Sequence, residues 1–101
     1  MTVKLHDSFA IHPGPWLKNE IIQPYGMSVA AVAKHLKVDE PVLIQLLDGS
    51  LRLTADLAIR FERAFRTYAA TLLRMQTSHD LALARRQLGS LDISVVRPAS
   101  Q

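Results

Sequence analysis

The chain has no cysteine, and no run of apolar residues in it is long enough to cross a bilayer. The first absence excludes a disulfide frame and any thiolate metal site, and it fits a reducing compartment. The N-terminal stretch lacks the apolar segment of a secretory signal, so the expected location is the cytoplasm, with no membrane partner. Glycine is sparse, with four residues scattered along the chain, and none of them builds a glycine-rich phosphate loop. The four histidines, His6, His12, His35 and His79, show no metal-ligand spacing, and no serine, histidine and aspartate set stands out. No catalytic residue, metal or other cofactor is therefore expected, and the chain does not read as an enzyme.

What is present fits one small domain. In 101 residues, 49% are hydrophobic, enough for a core, and 21% are charged and dispersed rather than gathered into a tail. The net charge of +3 hides an asymmetry. Up to Asp56, five Lys or Arg face six acids; from Leu57 onward, seven arginines face only Glu62, Asp80 and Asp92. Affinity for phosphate follows positive charge near the duplex, and here the basic half comes second.

No internal repeat or low-complexity segment interrupts the chain. Residues 1–11 lack helical periodicity and are read as a lead-in, 12–89 as an all-α domain, and 90–101 as a C-terminal strand or tail. His12-Pro13-Gly14-Pro15 is a stiff turn opening a first helix over about Pro15 to Ile22, which buries Trp16, Leu17, Ile21 and Ile22 and stops at Pro24 and Gly26. Ser28 caps a second helix through about Leu36, with Val29, Val32, Ala33 and Leu36 on one stripe. Asp39 caps a third, which has Pro41 in its first turn, Leu43, Leu46 and Leu47 facing inward, and Gly49 just past its end. Thr54 caps a fourth, with Leu57, Ala58, Phe61, Ala64 and Phe65 at helical spacing, while Arg60, Arg63 and Arg66 form a solvated side supported by pairs such as Glu62 with Arg66. A longer fifth helix runs from about Ala69 to Leu88 and ends at Gly89; the dipeptide His79-Asp80 reads as exposed on it. The segment Leu91-Asp92-Ile93-Ser94-Val95 then alternates apolar and polar, as a half-buried strand does. A lone strand in a helical domain needs a partner, and a second copy of the chain is the simplest one.

Two short amphipathic helices joined by a tight turn are the central feature. A DNA-reading helix-turn-helix needs a small residue where its helices touch and buried aliphatics after the turn. Ala33, the turn at Lys37-Val38, then Leu43 and Leu46 meet those needs. The candidate DNA-contacting residues are Ser28, Val29, Lys37, Asp39, Glu40, Val42, Gln45, Ser50 and Arg52. Gln45 is the ordinary base reader among them; Lys37, Ser50 and Arg52 flank the third helix as phosphate contacts, and Ser28 offers a helix N-terminus.

The ordered set His12-Pro13-Gly14, Leu17, Ile22, Pro24, Tyr25-Gly26-Met27-Ser28, Ala33, Leu36, Val38, Leu43, Leu46-Leu47, Gly49, Leu53-Thr54, Ala58, Arg60 and Ala64-Phe65 resembles the HigA-type antitoxins. These are a branch of the Cro/repressor-like (Xre) helix-turn-helix family. The likeness extends through Leu73, Met75-Gln76 and His79-Asp80-Leu81 to about Arg85. It implies a five-helix domain, a homodimer, operator DNA as ligand, a neighbouring HigB-type ribonuclease toxin, and repression of the shared operon. The dimer contact would fall on the fifth helix and the strand, at Leu73, Leu81, Leu88, Leu91, Ile93 and Val95. Family members usually carry Ser, Arg, Thr or Gln along the outward start of the third helix; this chain has Asp39, Glu40, Pro41, Val42, Ile44 and Gln45. That acidic, apolar surface keeps two alternatives in view: a protein-interaction module on the same fold with weak or lost DNA binding, and a stand-alone transcriptional regulator.

Overall fold

A computed structural model describes residues 11–99. It contains five helical segments in chain order and no strand among those residues. Helix α1 opens as an α-turn, Pro13–Trp16, widens into a π-helical stretch, Leu17–Ile22, and closes as a 3-10 turn, Gln23–Tyr25. Four α-helices follow: α2, Val29–Leu36; α3, Glu40–Leu47; α4, Ala55–Phe65; and α5, Ala69–Gln87. The lead-in expected over residues 1–11 lies, apart from Ile11, outside the described residues.

The first helix starts two residues earlier than the Pro15 expected from sequence, because His12 acts as its N-cap. The imidazole Nδ1 accepts a hydrogen bond from the Gly14 N–H at 2.9 Å, and Pro13 takes the first position, where a missing N–H costs nothing. Pro13 and Gly14 are buried as a result, whereas Trp16 and Ile21, expected in the core, are only half-buried. Gly26 ends α1 in the left-handed region, at φ 65°.

The core gathers the inward stripes of every helix. Leu17 and Ile22 come from α1, Val32, Ala33 and Leu36 from α2, and Leu43, Leu46 and Leu47 from α3. Leu53, Leu57, Ala58, Phe61 and Phe65 enclose them, and Leu72 closes the cluster from α5. Phe61 and Phe65 stack at 5.8 Å, and the Tyr25 ring meets Phe65 edge-on at 5.2 Å. Helix α3 is thereby packed against α1 and α2 along its buried stripe while its outer face stays open.

Only the first half of α5 joins this core. Its buried residues are Leu72 and Gln76, and from Leu81 on its apolar side chains are exposed: Leu81, Leu83 and Leu88 are 41%, 40% and 56% accessible. The segment after it, expected as a strand, is irregular, with Leu91, Ile93 and Val95 exposed. Among the described residues no other strand offers a ladder, and an unpaired strand has nothing to hold it.

One contact fixes the position of α3 more tightly than any side chain could. The α-carbon of Gly14 lies so close to the end of α3 that a methyl group there would come within 1.7 Å of the Leu46 carbonyl oxygen. Gly14→Ala is therefore expected to lower stability by at least about 1–3 kcal/mol, the usual range for overpacking, because the obstacle is backbone and cannot turn aside. Thermal melting of the variant checks this; an unchanged melting temperature would mean that α1 and α3 are not in this contact.

Candidate nucleic-acid interface

The turn between α2 and α3 is built on a lysine in a glycine-like conformation. Lys37 has φ 59° and ψ 45°, a geometry that costs a non-glycine residue about 1 kcal/mol. It lets the Val38 N–H reach back to the Ala33 carbonyl at 3.0 Å and its own N–H reach Lys34 at 3.2 Å, the paired bonds that close a helix end. Ala33, 3% accessible, lies at this closure, where a larger side chain has no room between the helices. Two further carbonyls are met from α4: Arg60 Nη1 donates to the Leu36 oxygen at 2.8 Å and to the Lys37 oxygen at 3.0 Å. Its Nε is held at 2.6 Å by Asp56, one turn earlier. Arg60, read from sequence as one of a solvated set, is thus a structural clamp on the helix-turn-helix. Sequence reasoning missed this because it runs over 24 residues to a backbone atom.

Helix α3 ends with the same motif, this time on a glycine. Gly49, at φ 88°, follows the last turn as expected; its N–H donates to Leu46 at 3.1 Å and that of Ser50 to Gln45 at 2.9 Å. Asp48 adds a local turn by accepting from the Ser50 N–H at 2.8 Å. Hydrogen bonding by the Ser50 side chain, and then by its N–H, holds the Asp48 carboxyl below the usual carboxylate range. At the other end Asp39 stands at the N-cap position in extended backbone but makes no side-chain capping bond, contrary to the sequence reading. Pro41 explains part of this: it occupies the second helical position and removes one of the two N–H groups such a cap would bond. The other caps form as expected, Ser28 accepting from Ala31 at 3.1 Å and Thr54 from Leu57 at 3.3 Å.

The loop leaving α3 is tied down by a buried polar chain that the sequence did not reveal. Gln76 on α5 is 1% accessible; its Oε1 accepts from the Leu53 N–H at 2.6 Å and its Nε2 donates to Asp80 at 2.8 Å. Asp80 in turn holds Arg52 Nη2 at 2.6 Å. Partial burial works against the Asp80 charge, but the hydrogen bonds from Arg52 and Gln76 outweigh it and keep the carboxyl below its ordinary range. The dipeptide His79-Asp80 is therefore not the free surface pair expected from sequence: the His79 ring also meets His12 edge-on at 5.2 Å. Nor does Glu62 pair with Arg66. Arg66 turns into the left-handed region at φ 56° to end α4, and the Glu62 carboxylate instead accepts from the Ala69 N–H at 2.9 Å, capping α5, where Tyr68 offers no capping side chain.

The nine candidate residues divide accordingly. Ser28, Lys37, Asp39, Glu40, Gln45, Ser50 and Arg52 are exposed, Arg52 with its charge engaged by Asp80. Val29 is half-buried and packs against the core, and Val42 is half-buried at the edge of α3. The outward ridge of α3, opposite Leu43, Leu46 and Leu47, consists of Pro41, Ile44 and Gln45, all exposed, and of these sequence reasoning had chosen only Gln45. Leu73 of α5 packs against the core of its own chain, while Leu81 of the same helix and Leu88, Leu91, Ile93 and Val95 beyond its end are exposed. Among the described residues no cluster of ligands suits a metal ion, and no helix is long and apolar enough to cross a membrane.

His12 links this surface to pH. Burial, followed by the neighbouring His79 ring, holds its imidazole below the ordinary value of 6.5; the Leu51 backbone, Asp80 and Asp48 pull the other way without offsetting this. Its Nε2 is buried without a properly formed hydrogen bond, and a proton on Nδ1 would break the cap on Gly14. The unfolded chain then takes up this proton before the folded one, so stability is full above about pH 6.5 and falls as the pH drops towards the folded value. Melting curves from pH 7.5 to 5 are expected to show that fall. His12→Asn keeps a capping acceptor and should flatten the curve over this range; an equal slope in both proteins would exclude His12 as the cause.

The chain matches no family profile, but individual relatives are clear. Virulence-associated protein I of Dichelobacter nodosus is 37% identical over 86 residues, covering 85% of this chain and 80% of the relative. Among solved structures, the antitoxin GraA is 36% identical with a TM-score of 0.79, over 87% of this chain and 96% of that one. Pseudomonas aeruginosa antitoxin HigA, solved with the higBA promoter, is 32% identical with a TM-score of 0.78, over 88% and 97%. Shared helices, shared order and this level of identity place the chain in one family with them: it belongs to the HigA-type antitoxins of the helix-turn-helix class.

Proposed function

We propose that this chain is a non-catalytic cytoplasmic antitoxin that binds its own operator as a homodimer and neutralises a HigB-type ribonuclease toxin. The observation that carries the DNA reading is the presentation of α3. Its inner stripe is fully packed, the turn before it and its own C-terminal end are each closed by paired hydrogen bonds, and its outer ridge is open to solvent in a chain 32% identical to an antitoxin solved with promoter DNA. Such a helix fits the major groove, and two copies about one helical turn apart would meet successive half-sites. Lys37, Ser50 and Arg52 then serve as phosphate contacts, with Ser28 and Val29 at the start of α2; Asp39, Glu40, Val42 and Gln45 lie along the entering helix.

The dimer reading rests on the second half of α5 and on residues 91–95, where Leu81, Leu83, Leu91, Ile93 and Val95 are exposed. Patches of this kind mark association surfaces. Light scattering at micromolar concentration is expected to give a dimer for the full chain and a monomer after truncation at Gly89. A full-length monomer would overturn this part of the reading.

One observation favours a protein-only role instead: α3 carries no cation, and Asp39 and Glu40 are exposed at its start. A gel shift with the DNA upstream of the gene at low salt separates the two readings. The operator reading predicts weak binding that improves when Asp39→Asn and Glu40→Gln remove two charges repelled by phosphate. The improvement should shrink as salt rises, because such repulsion is screened over about 10 Å at 0.1 M. Stability should barely change, since Asp39 makes no capping bond to lose. If neither protein shifts the DNA, the protein-only role stands.

A further inference from the structure

The outward ridge of α3 has a composition that selects among bases, and this inference rests on the DNA-binding reading above. Pro41 and Ile44 are one turn apart on the exposed side of the helix, and Ile44 is 46% accessible although the core next to it is closed. Gln45 follows on the same side, also exposed. The ridge thus offers two apolar side chains and one amide, flanked by the exposed carboxylates of Glu40 and Asp39. It offers no guanidinium or ammonium group: α3 has no Lys or Arg.

In the major groove these groups have defined partners. Guanine presents two acceptors, for which Arg or Lys is the usual match, and this ridge has neither. Adenine presents one acceptor and one donor, the pattern a glutamine amide meets with two bonds. Thymine presents a methyl group, which is best met by an apolar side chain. The carboxylates can only accept, and so cannot pair with guanine's edge either; their one match is the cytosine amino group, and they flank the ridge of Pro41, Ile44 and Gln45 and do not form part of it. We infer that α3 reads A·T pairs, with Ile44 and Pro41 seated on thymine methyl groups and Gln45 on the adenine edge. Ile44 is the specificity-determining residue in this arrangement: its exposure has no role in the core, and a thymine methyl in the groove gives it a cover of the right chemistry.

The test uses the full-length protein and a randomised duplex pool selected at low salt. The selected half-site is expected to contain A·T pairs. Replacing each thymine in it by uracil, which removes only the methyl group, should weaken binding about fourfold at one or two positions, the loss that follows from uncovering one methyl. Ile44→Ala should bind the thymine and uracil duplexes equally at one of those positions while keeping its dependence elsewhere. Because the side chain is half out of the fold, the variant should melt like the parent protein, which is checked alongside. Gln45→Ala should lose about fivefold to a hundredfold at the adjacent adenine. Equal affinity of the parent protein for thymine and uracil duplexes overturns the inference and leaves DNA binding intact. So does a selected site made of G·C pairs, or thymine preference retained in full by Ile44→Ala. If no duplex is selected at all, the operator reading itself fails, and this inference with it.

Discussion

Where α1 meets α3, backbone lies against backbone. Gly14 presses on the Leu46 carbonyl with no side chain between them, and His12 and Gly49 close around the same point. The last turn of the outward-facing helix is thereby set by a contact between two backbones, neither of which can turn aside as a side chain can. The rest follows from it: once α3 is anchored at its C-terminal end, Leu43, Leu46 and Leu47 meet Leu17 from a fixed direction, and the Lys37 turn has to take the one conformation that joins α2 to it. The strain of a left-handed lysine is accepted there because Arg60 satisfies the carbonyls the turn leaves open.

How much of this could be read from the chain depends on how local each signal is. Ser28, Thr54 and Gly49 act within a few residues of themselves, so their helices were legible to within a residue or two. The inward stripe of α3 was legible for the same reason, since helical spacing alone separates Leu43, Leu46 and Leu47 from Ile44 and Gln45. Histidine at the start of α1 was not, because an imidazole is seldom an N-cap and a proline-rich stretch reads first as a turn. Contacts over long separations escaped altogether. Nothing in the composition of α5 shows that Gln76 is buried, since a glutamine in a helix is solvated by default; only the Leu53 N–H, 23 residues away, gives it a reason to turn inward. Glu62 is a related case, because the sequence offers it Arg66 one turn on and the structure gives it a backbone N–H in the next helix.

The C-terminal segment marks a different kind of boundary. Its alternation of apolar and polar residues is genuine, yet it forms no strand, because a strand is a property of a pair and the described residues contain no second one. The second half of α5 is in the same position: it is helical by local propensity, and its leucines stand exposed. Both are statements about a surface, whereas the first four helices concern an interior that the chain completes by itself.

Arg52 illustrates how such an interior reaches the surface. It is the cation just beyond α3, but its guanidinium already bonds a carboxylate 2.6 Å away, and that carboxylate is itself held by a buried amide. Any anion that approaches Arg52 has to share it with Asp80, so the gain is less than the full attraction of a free charge. A phosphate drawn to this corner would therefore meet a charge already partly neutralised and release fewer small ions than the number of cations suggests. The residue acts less as a source of affinity than as a tether between α5 and the loop that leaves α3.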